Sequence, residues 1–321
     1  MRVLSGIQPS GGLHIGNYFA MMRRMIDFQN TDELFCFIVN FHAMTTVHDP
    51  NKLREGTLSA AMDFIAVGLD PARSYFWVQS DVPEVTELTW ILSCLTPMGL
   101  LERCVSYKDK IASGISPNHG IFAYPVLMAS DILAYQAQII PVGQDQKQHL
   151  EVTRDIAIKF NNVYGDTFVV PEAAIDDELA VIPGTDGQKM SKSYGNTIEI
   201  FSTEKELREK IFSIKTDSAT VQDKKDPEKS TLYDIYKLFV SSGDAEIMAE
   251  RFRAGGLGYA QVKKELFDVI WEYFRPYRQQ REELEKDPDG VRDILRMGAE
   301  KARHVATETM ELVRERIGIR Y

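Results

Sequence analysis

The chain has 321 residues, 44% of them hydrophobic and 26% charged, with a formal net charge of −10. That is enough for a large core, expected as one substantial domain plus a smaller one, while the acidic excess argues against sequence-independent coating of nucleic acid, which needs phosphate neutralisation. No uncharged apolar run approaches the roughly 18 residues of a bilayer span, the start of the chain has no signal-peptide core, and three scattered cysteines, Cys36, Cys94 and Cys104, form neither a disulfide framework nor a zinc ligand pair, so the cytoplasm is the expected location.

Arg2–Ile7 reads as a strand followed by a turn rich in Gly and Ser. The spacing predicts a helix from about His14, with Ile15, Tyr18, Phe19, Met22 and Ile26 on one apolar side. Leu34–Phe41 is a nearly continuous apolar run, the pattern of a parallel strand covered on both faces. Asp49-Pro50 opens a helix, since aspartate caps free N–H groups and proline suits the first turn; it should run to about Val67 and stop at Gly68. Tyr75–Gln79 and Ile139–Val142 supply further strands. This alternation indicates an α/β domain with right-handed crossovers, whose ligands sit beyond the carboxyl ends of the strands. The first glycine turn, Asn40-Phe41-His42 and Gly143-Gln144-Asp145-Gln146 would gather there.

After about residue 200 the pattern turns helical: Lys205–Ile214, Leu232–Phe239, Tyr259–Tyr273 and Val291–Ile317 all read as helices. Residues 1–200 hold 14 Lys/Arg against 23 Asp/Glu, and residues 201–321 hold 23 against 24. The second part therefore leaves room for a locally basic face and selective contact with one structured RNA. Arg251, Arg253, Lys263 and Lys264 are candidates, with ordinary surface charge the stronger reading of each.

Two segments carry chemistry. Pro9-Ser10-Gly11-Gly12-Leu13-His14-Ile15-Gly16-Asn17 matches neither a dinucleotide fingerprint nor a P-loop. Its glycines nevertheless let a nucleotide approach the backbone, helix N–H groups favour negative charge, and His14 offers a donor nitrogen. A capped helix after a plain turn is the competing reading. Far downstream, Lys189-Met190-Ser191-Lys192-Ser193 follows a loop-forming Pro183-Gly184-Thr185-Asp186-Gly187-Gln188 and precedes Gly195-Asn196. Loop lysines are usually solvated and inert, but two ammonium groups around a serine suit a departing pyrophosphate, with methionine anchoring the loop on apolar surface. Lys108 and Lys110 add charge that can reach the same ligand.

Together these residues resemble the bacterial-type tryptophanyl-tRNA synthetases of class I. His14-Ile15-Gly16-Asn17 corresponds to that class's first signature and Lys189–Ser193 to its lysine-loop signature; Ser5–Gly11 and Pro141–His149 add subfamily detail. The similarity extends from residue 2 to about 315. It implies a Rossmann-like parallel-sheet catalytic domain over 1–200 and a mainly helical, anticodon-binding region over 201–321, whose final helix can pack back on the catalytic domain. It also implies a homodimer that makes tryptophanyl-adenylate from L-tryptophan and ATP, then charges tRNA(Trp). Mg²⁺ would be held largely by ATP and water, so no protein metal ligands are expected.

The resemblance further assigns Gln8, Ser10, Gly11, Gly12, His14, Gly16, Asn17, Gly143, Asp145, Met190 and Ser191 to ATP, with Lys189, Lys192 and Lys110 stabilising migrating charge. Leu4, Gly6, Gln8, His42, Tyr124, Met128, Asp131, Val142 and Gln146 fall to tryptophan, Asp131 accepting the indole N–H. Two positions depart from the family's pattern: Gln144 stands where glutamate is frequent, and Leu4 where an aromatic residue can face the indole. A tyrosyl-tRNA synthetase and a non-enzymatic RNA-binding relative are the alternatives, the former set back by the sequence around Asp131 and the latter by intact Lys189 and Lys192.

Overall fold

The computed structural model describes residues 1–9, 11–104, 114, 118–143, 147–174 and 182–320. Five parallel strands form one sheet: β1 (Arg2–Ile7), β2 (Glu33–Ile38), β3 (Tyr75–Val78), β4 (Ile139–Pro141) and β5 (Glu172–Ala174), in the order β3-β2-β1-β4-β5. The first three strands step one way and β4 returns to the other side of β1. This puts a topological switch point between β1 and β4, the Rossmann-like arrangement that the alternating pattern implied.

Side-chain alternation sorts the strands onto two cores. Val3, Leu34, Cys36, Ile38, Phe76 and Val78 enter one cluster, while Leu4, Phe35, Phe37, Trp77 and Ile140 enter the other. Both faces are therefore buried, which explains the unbroken apolar runs. The helical elements after β1, α1 (Ile15–Asn17) and α2 (Arg23–Phe28), sit on the first face, joined by a π turn over Tyr18–Met22 in which Arg23 N–H donates to the Tyr18 carbonyl. The short helix α3 (Asn40–Ala43) follows β2, and the long α4 (Pro50–Ala66) is capped by Asp49, whose carboxylate accepts from the Asn51 and Lys52 amides. The second face carries α5 (Glu84–Ser93), α6 (Met98–Glu102), α7 (His119–Leu133) and α8 (Lys147–Tyr164).

The rest is helical: α9 (Glu204–Phe212), α10 (Thr231–Tyr236), α11 (Ser242–Ala254), α12 (Tyr259–Tyr273), α13 (Arg275–Lys286) and α14 (Pro288–Arg316). Their apolar sides join the first core, and two contacts tie them to the strands' own helices. Arg281 on α13 meets the buried Asp63 of α4 at 2.7 Å, and Tyr18 shares hydroxyl hydrogen bonds with Tyr273 and Tyr277 at 3.1 and 3.2 Å. The last helix spans both faces, with Val291 and Leu295 in the first core and Ala299–Val313 in the second. It crosses the edge strand β3 at Gly298, where a Cβ would lie 1.8 Å from the Phe76 carbonyl oxygen. Only a residue without a side chain permits that approach, and the helix thereby covers an edge otherwise open to foreign strands.

Several expectations shift. The strand expected over Leu34–Phe41 stops at Ile38, because the backbone turns at Val39 into α3. The strand expected to Val142 stops at Pro141. Helices α3, α5, α6, α8, α11 and α13 have no counterpart among the expected elements. Arg251 is clamped by Glu265 at 2.6 and 2.8 Å, Arg253 pairs with Glu246, and Lys263 donates to the carbonyls of Phe212 and Ile214. Each of these three thus has a partner within the helical region.

Candidate active site

The two signature segments meet. Leu13 and Ile15 flank a short antiparallel bridge between His14 and Glu199, in which Ile15 N–H donates to the Ile198 carbonyl and Ile200 N–H to the Leu13 carbonyl, both at 2.9 Å. The lysine loop is thus tied to the first helix by the strand-like stretch just after it. Gly16 makes this possible: a Cβ there would sit 2.9 Å from His14 Nδ1 and 3.3 Å from Met190 Cβ. Met190 is buried in the first core, the anchoring expected of it. Lys192 reaches back over Gly11, its Nζ 3.7 Å from where a Gly11 side chain would begin; Gly11 itself has φ +90°. Lys189 is exposed on a bridge with Pro183.

His14 caps α1. Its Nδ1 accepts the Asn17 amide at 3.3 Å while Asn17 Oδ1 accepts the His14 amide at 3.3 Å. Burial, with the nearby Lys192 charge, lowers its pKa to about 4. The ring is therefore neutral near pH 7, and because Nδ1 is an acceptor the proton resides on Nε2. His14 accordingly presents one N–H donor. Desolvation also holds the Lys192 ammonium below the ordinary lysine range, with Glu199 and Asp63 pulling the other way.

From sequence, Asn196 reads only as a residue beside the loop. Its side chain donates to Asp186 Oδ1 at 2.8 Å and to the Lys189 carbonyl at 3.1 Å, and accepts from Ser191 N–H at 2.8 Å. It is 2% exposed, and Gly184 leaves it room. This amide sets the shape of the lysine loop.

On the other face of the sheet, Asp131 of α7 is buried. Gln79 Nε2 donates to its Oδ1 at 2.9 Å and to its Oδ2 at 2.7 Å, and His42 Nε2 lies 2.9 Å from Oδ2. Burial raises the Asp131 pKa, while the His42 and Gln79 bonds oppose that rise. Sequence reasoning missed Gln79; the available signal was a lone amide ending an apolar strand. Tyr124 stacks edge-on to His42 and its hydroxyl lies 2.7 Å from His149 Nε2. Met128 and Val142 pack at the margin of the same core, and Leu4 is buried within it. Gly6, Gln8, Gly12 and Gly143 are exposed near the strand ends, where a Gly6 side chain would lie 2.8 Å from Val39 Cγ1. Ser10, Lys108, Lys110, Gln144, Asp145 and Gln146 lie outside the described residues.

The arrangement offers a neutral imidazole donor and a sheltered ammonium on one face, and a multiply bonded carboxylate on the other. Among the described residues no group of His, Cys, Asp and Glu is placed to hold a metal ion, and no helix is long and apolar enough to cross a membrane.

The chain matches the family model described as tRNA synthetases class I (W and Y) over residues 1–275. A tryptophan–tRNA ligase of Rhodopirellula baltica is 53% identical over 320 residues, the full length of both chains. A tryptophan–tRNA ligase of Campylobacter jejuni is 51% identical, covering 99% of this chain and 100% of the relative. A crystal structure of tryptophanyl-tRNA synthetase from Campylobacter jejuni, complexed with ADP and tryptophan, superposes with a TM-score of 0.96 at 51% identity, covering 99% of this chain and 100% of that one.

Proposed function

The chain belongs to the class I tRNA synthetases for tryptophan and tyrosine, and on that premise we infer how its residues divide the work. The enzyme uses ATP to activate L-tryptophan as tryptophanyl-adenylate and transfers the amino acid to tRNA(Trp), with pyrophosphate and AMP released. The tryptophan carboxylate attacks the α-phosphorus directly, so the protein's task is alignment and electrostatic support of migrating charge.

In this reading Gly11, Gly12, Gly16 and Asn17 admit ATP to the backbone, and His14 Nε2–H donates to a phosphate oxygen. Lys192, with Lys189 and Lys110, follows the negative charge onto the leaving pyrophosphate. The charge of an ATP-bound Mg²⁺ would add to that of these lysines, and it would need no cluster of protein carboxylates. Gln8, Ser10, Gly143, Asp145, Met190 and Ser191 complete the nucleotide side. Asp131 accepts the indole N–H on Oδ1, where Gln79 supplies the one bond found among the described residues. Leu4, Gly6, His42, Tyr124, Met128, Val142 and Gln146 shape the remainder. A terminal ribose hydroxyl of tRNA then attacks the mixed anhydride.

Residues 1–200 are assigned to catalysis and 201–321 to the anticodon. A cytoplasmic homodimer fits the same reading: Trp90 on α5 and Met98 on α6 are both more than half exposed, an apolar presentation that a second subunit would cover. The meeting of Lys192 with Gly11 across nearly two hundred residues carries the activation mechanism. ATP–pyrophosphate exchange across the twenty amino acids, followed by charging of tRNA(Trp), tests it. Exchange that is strongest with an amino acid other than tryptophan would overturn the substrate assignment.

A further inference from the structure

A cavity of about 540 Å³ opens between the first turns of α4, the end of β3 and the start of α14. That volume suits a small-molecule ligand. Leu53, Val78 and Leu295 give it an apolar floor, and Arg54, Arg292 and Arg296 stand on its lining. The activation chemistry uses none of these residues. Arg292 and Arg296 each reach back to the aspartate three positions earlier on α14, Asp289 and Asp293. Such exposed pairs within one helix are weak, and a bidentate phosphate competes well against them. Arg54 donates to the neutral amide oxygen of Asn51 at 3.2 Å. Among the described residues on the lining Asp81 is the one carboxylate, which favours a ligand that brings hydroxyl donors beside its anionic group.

Hydrogen bonds connect the cavity lining to Asp131. Asn40 lines it and exchanges two hydrogen bonds with Ser80, at 2.8 and 3.1 Å. The next residue, Phe41, donates its amide to Gln79 Oε1 at 3.0 Å, and Gln79 grips Asp131. Val78 and Asp81, on either side of Gln79-Ser80, also line the cavity. One hydrogen-bonded unit therefore touches the cavity through Asn40, Val78 and Asp81, and touches Asp131 through Gln79 and His42.

We propose that this cavity is a second ligand site, for an organic phosphate with a flat apolar body and hydroxyl donors, and that its occupancy changes tryptophan affinity through the Asn40–Ser80 and Gln79–Asp131 hydrogen bonds. A free nucleotide and a nucleotide unit of an RNA strand share that chemistry. The binding stands on the cavity alone; the coupling rests on the reading of Asp131 as the indole acceptor.

The full-length enzyme, its ATP site filled with a non-hydrolysable analogue, is titrated calorimetrically with cytidine 5′-monophosphate, and tryptophan Kd is measured with and without it. Loss of charge-assisted bonds in Arg292→Ala/Arg296→Ala should weaken the nucleotide about 10-fold, and Arg54→Ala from the other helix should act in the same direction. Occupancy should shift tryptophan Kd by about 3-fold or more, and tryptophan must shift nucleotide Kd by the same factor. Ser80→Ala should keep nucleotide binding and lose the shift. If RNA supplies the phosphate, the double variant raises KM for tRNA with pyrophosphate exchange unchanged; if a free nucleotide does, KM for tRNA stays and only nucleotide binding falls. Absence of nucleotide binding together with unchanged KM for tRNA overturns the site. So does nucleotide binding indifferent to all three arginines, and an unchanged tryptophan Kd at saturation overturns the coupling. Unaltered amino-acid discrimination in Asp131→Ala, with the arginine dependence intact, condemns the indole assignment and not the cavity.

Discussion

Lys192 and Asp131 are both sheltered charges at the same end of one sheet, yet they lie on opposite faces and are held in opposite ways. Lys192 sits on a loop tied down at Met190, Asn196 and the Ile198–Ile200 stretch, with desolvation depressing its pKa. Asp131 is locked on a helix by three hydrogen bonds from two side chains, Gln79 and His42. The first arrangement keeps positive charge available for a phosphate whose charge is moving. The second keeps an acceptor in one place so that a ring edge can be tested against it. Activation and discrimination demand different rigidity, and the two faces of the sheet supply it separately.

That division can be broken by experiment. Lys192→Ala should slow pyrophosphate exchange by about 100- to 1,000-fold, as loss of one preorganised charge-stabilising group does, with tryptophan Kd nearly unchanged. A large loss of tryptophan affinity at unchanged turnover would put this lysine on the wrong side of the comparison. Asp131→Ala should cut the preference for tryptophan over phenylalanine by about 10- to 100-fold, the worth of roughly 1–3 kcal/mol at a buried acceptor. Relative kcat/KM for tryptophan, tyrosine and phenylalanine measures it, and equal ratios in both enzymes would remove Asp131 from discrimination.

Gly298→Ala probes the frame that both faces share. The new methyl must push α14 off the Phe76 carbonyl, and overpacking of this kind costs about 1–3 kcal/mol. A lowered urea midpoint is expected; an unchanged midpoint would show that the helix shifts freely across β3. The remaining prediction concerns His14 and the pH dependence of stability. Its pKa falls from 6.5 unfolded to about 4 folded, so between these values the unfolded chain binds the extra proton. Its contribution to stability is complete above about pH 6.5 and is lost as pH falls through about 4. His14→Gln should flatten the stability profile across that window, and an identical slope in the variant would mean that His14 titrates normally.

Local chemistry made much of this legible. The Asp49 cap, the helix over Tyr259–Tyr273 and the strand over Arg2–Ile7 follow from capping and periodicity, which act between near neighbours. The paired lysines and the glycine-histidine turn were visible as phosphate-binding chemistry. The strand after Leu34 reads too long because the apolar Val39 and Phe41 on either side of Asn40 extend the run; side-chain bonds to Gln79 and Ser80 support the turn instead.

Composition and spacing alone thus determined an α/β chain with a helical second part and two phosphate-competent segments, because those properties depend on residues a few positions apart. Only the tertiary structure decided that Met190 packs beside Gly16, that Gln79 grips Asp131, and that Gly298 admits a helix against β3. Each is a contact between residues far apart in sequence, whose partners are chosen by the order of the strands and by which face each side chain meets.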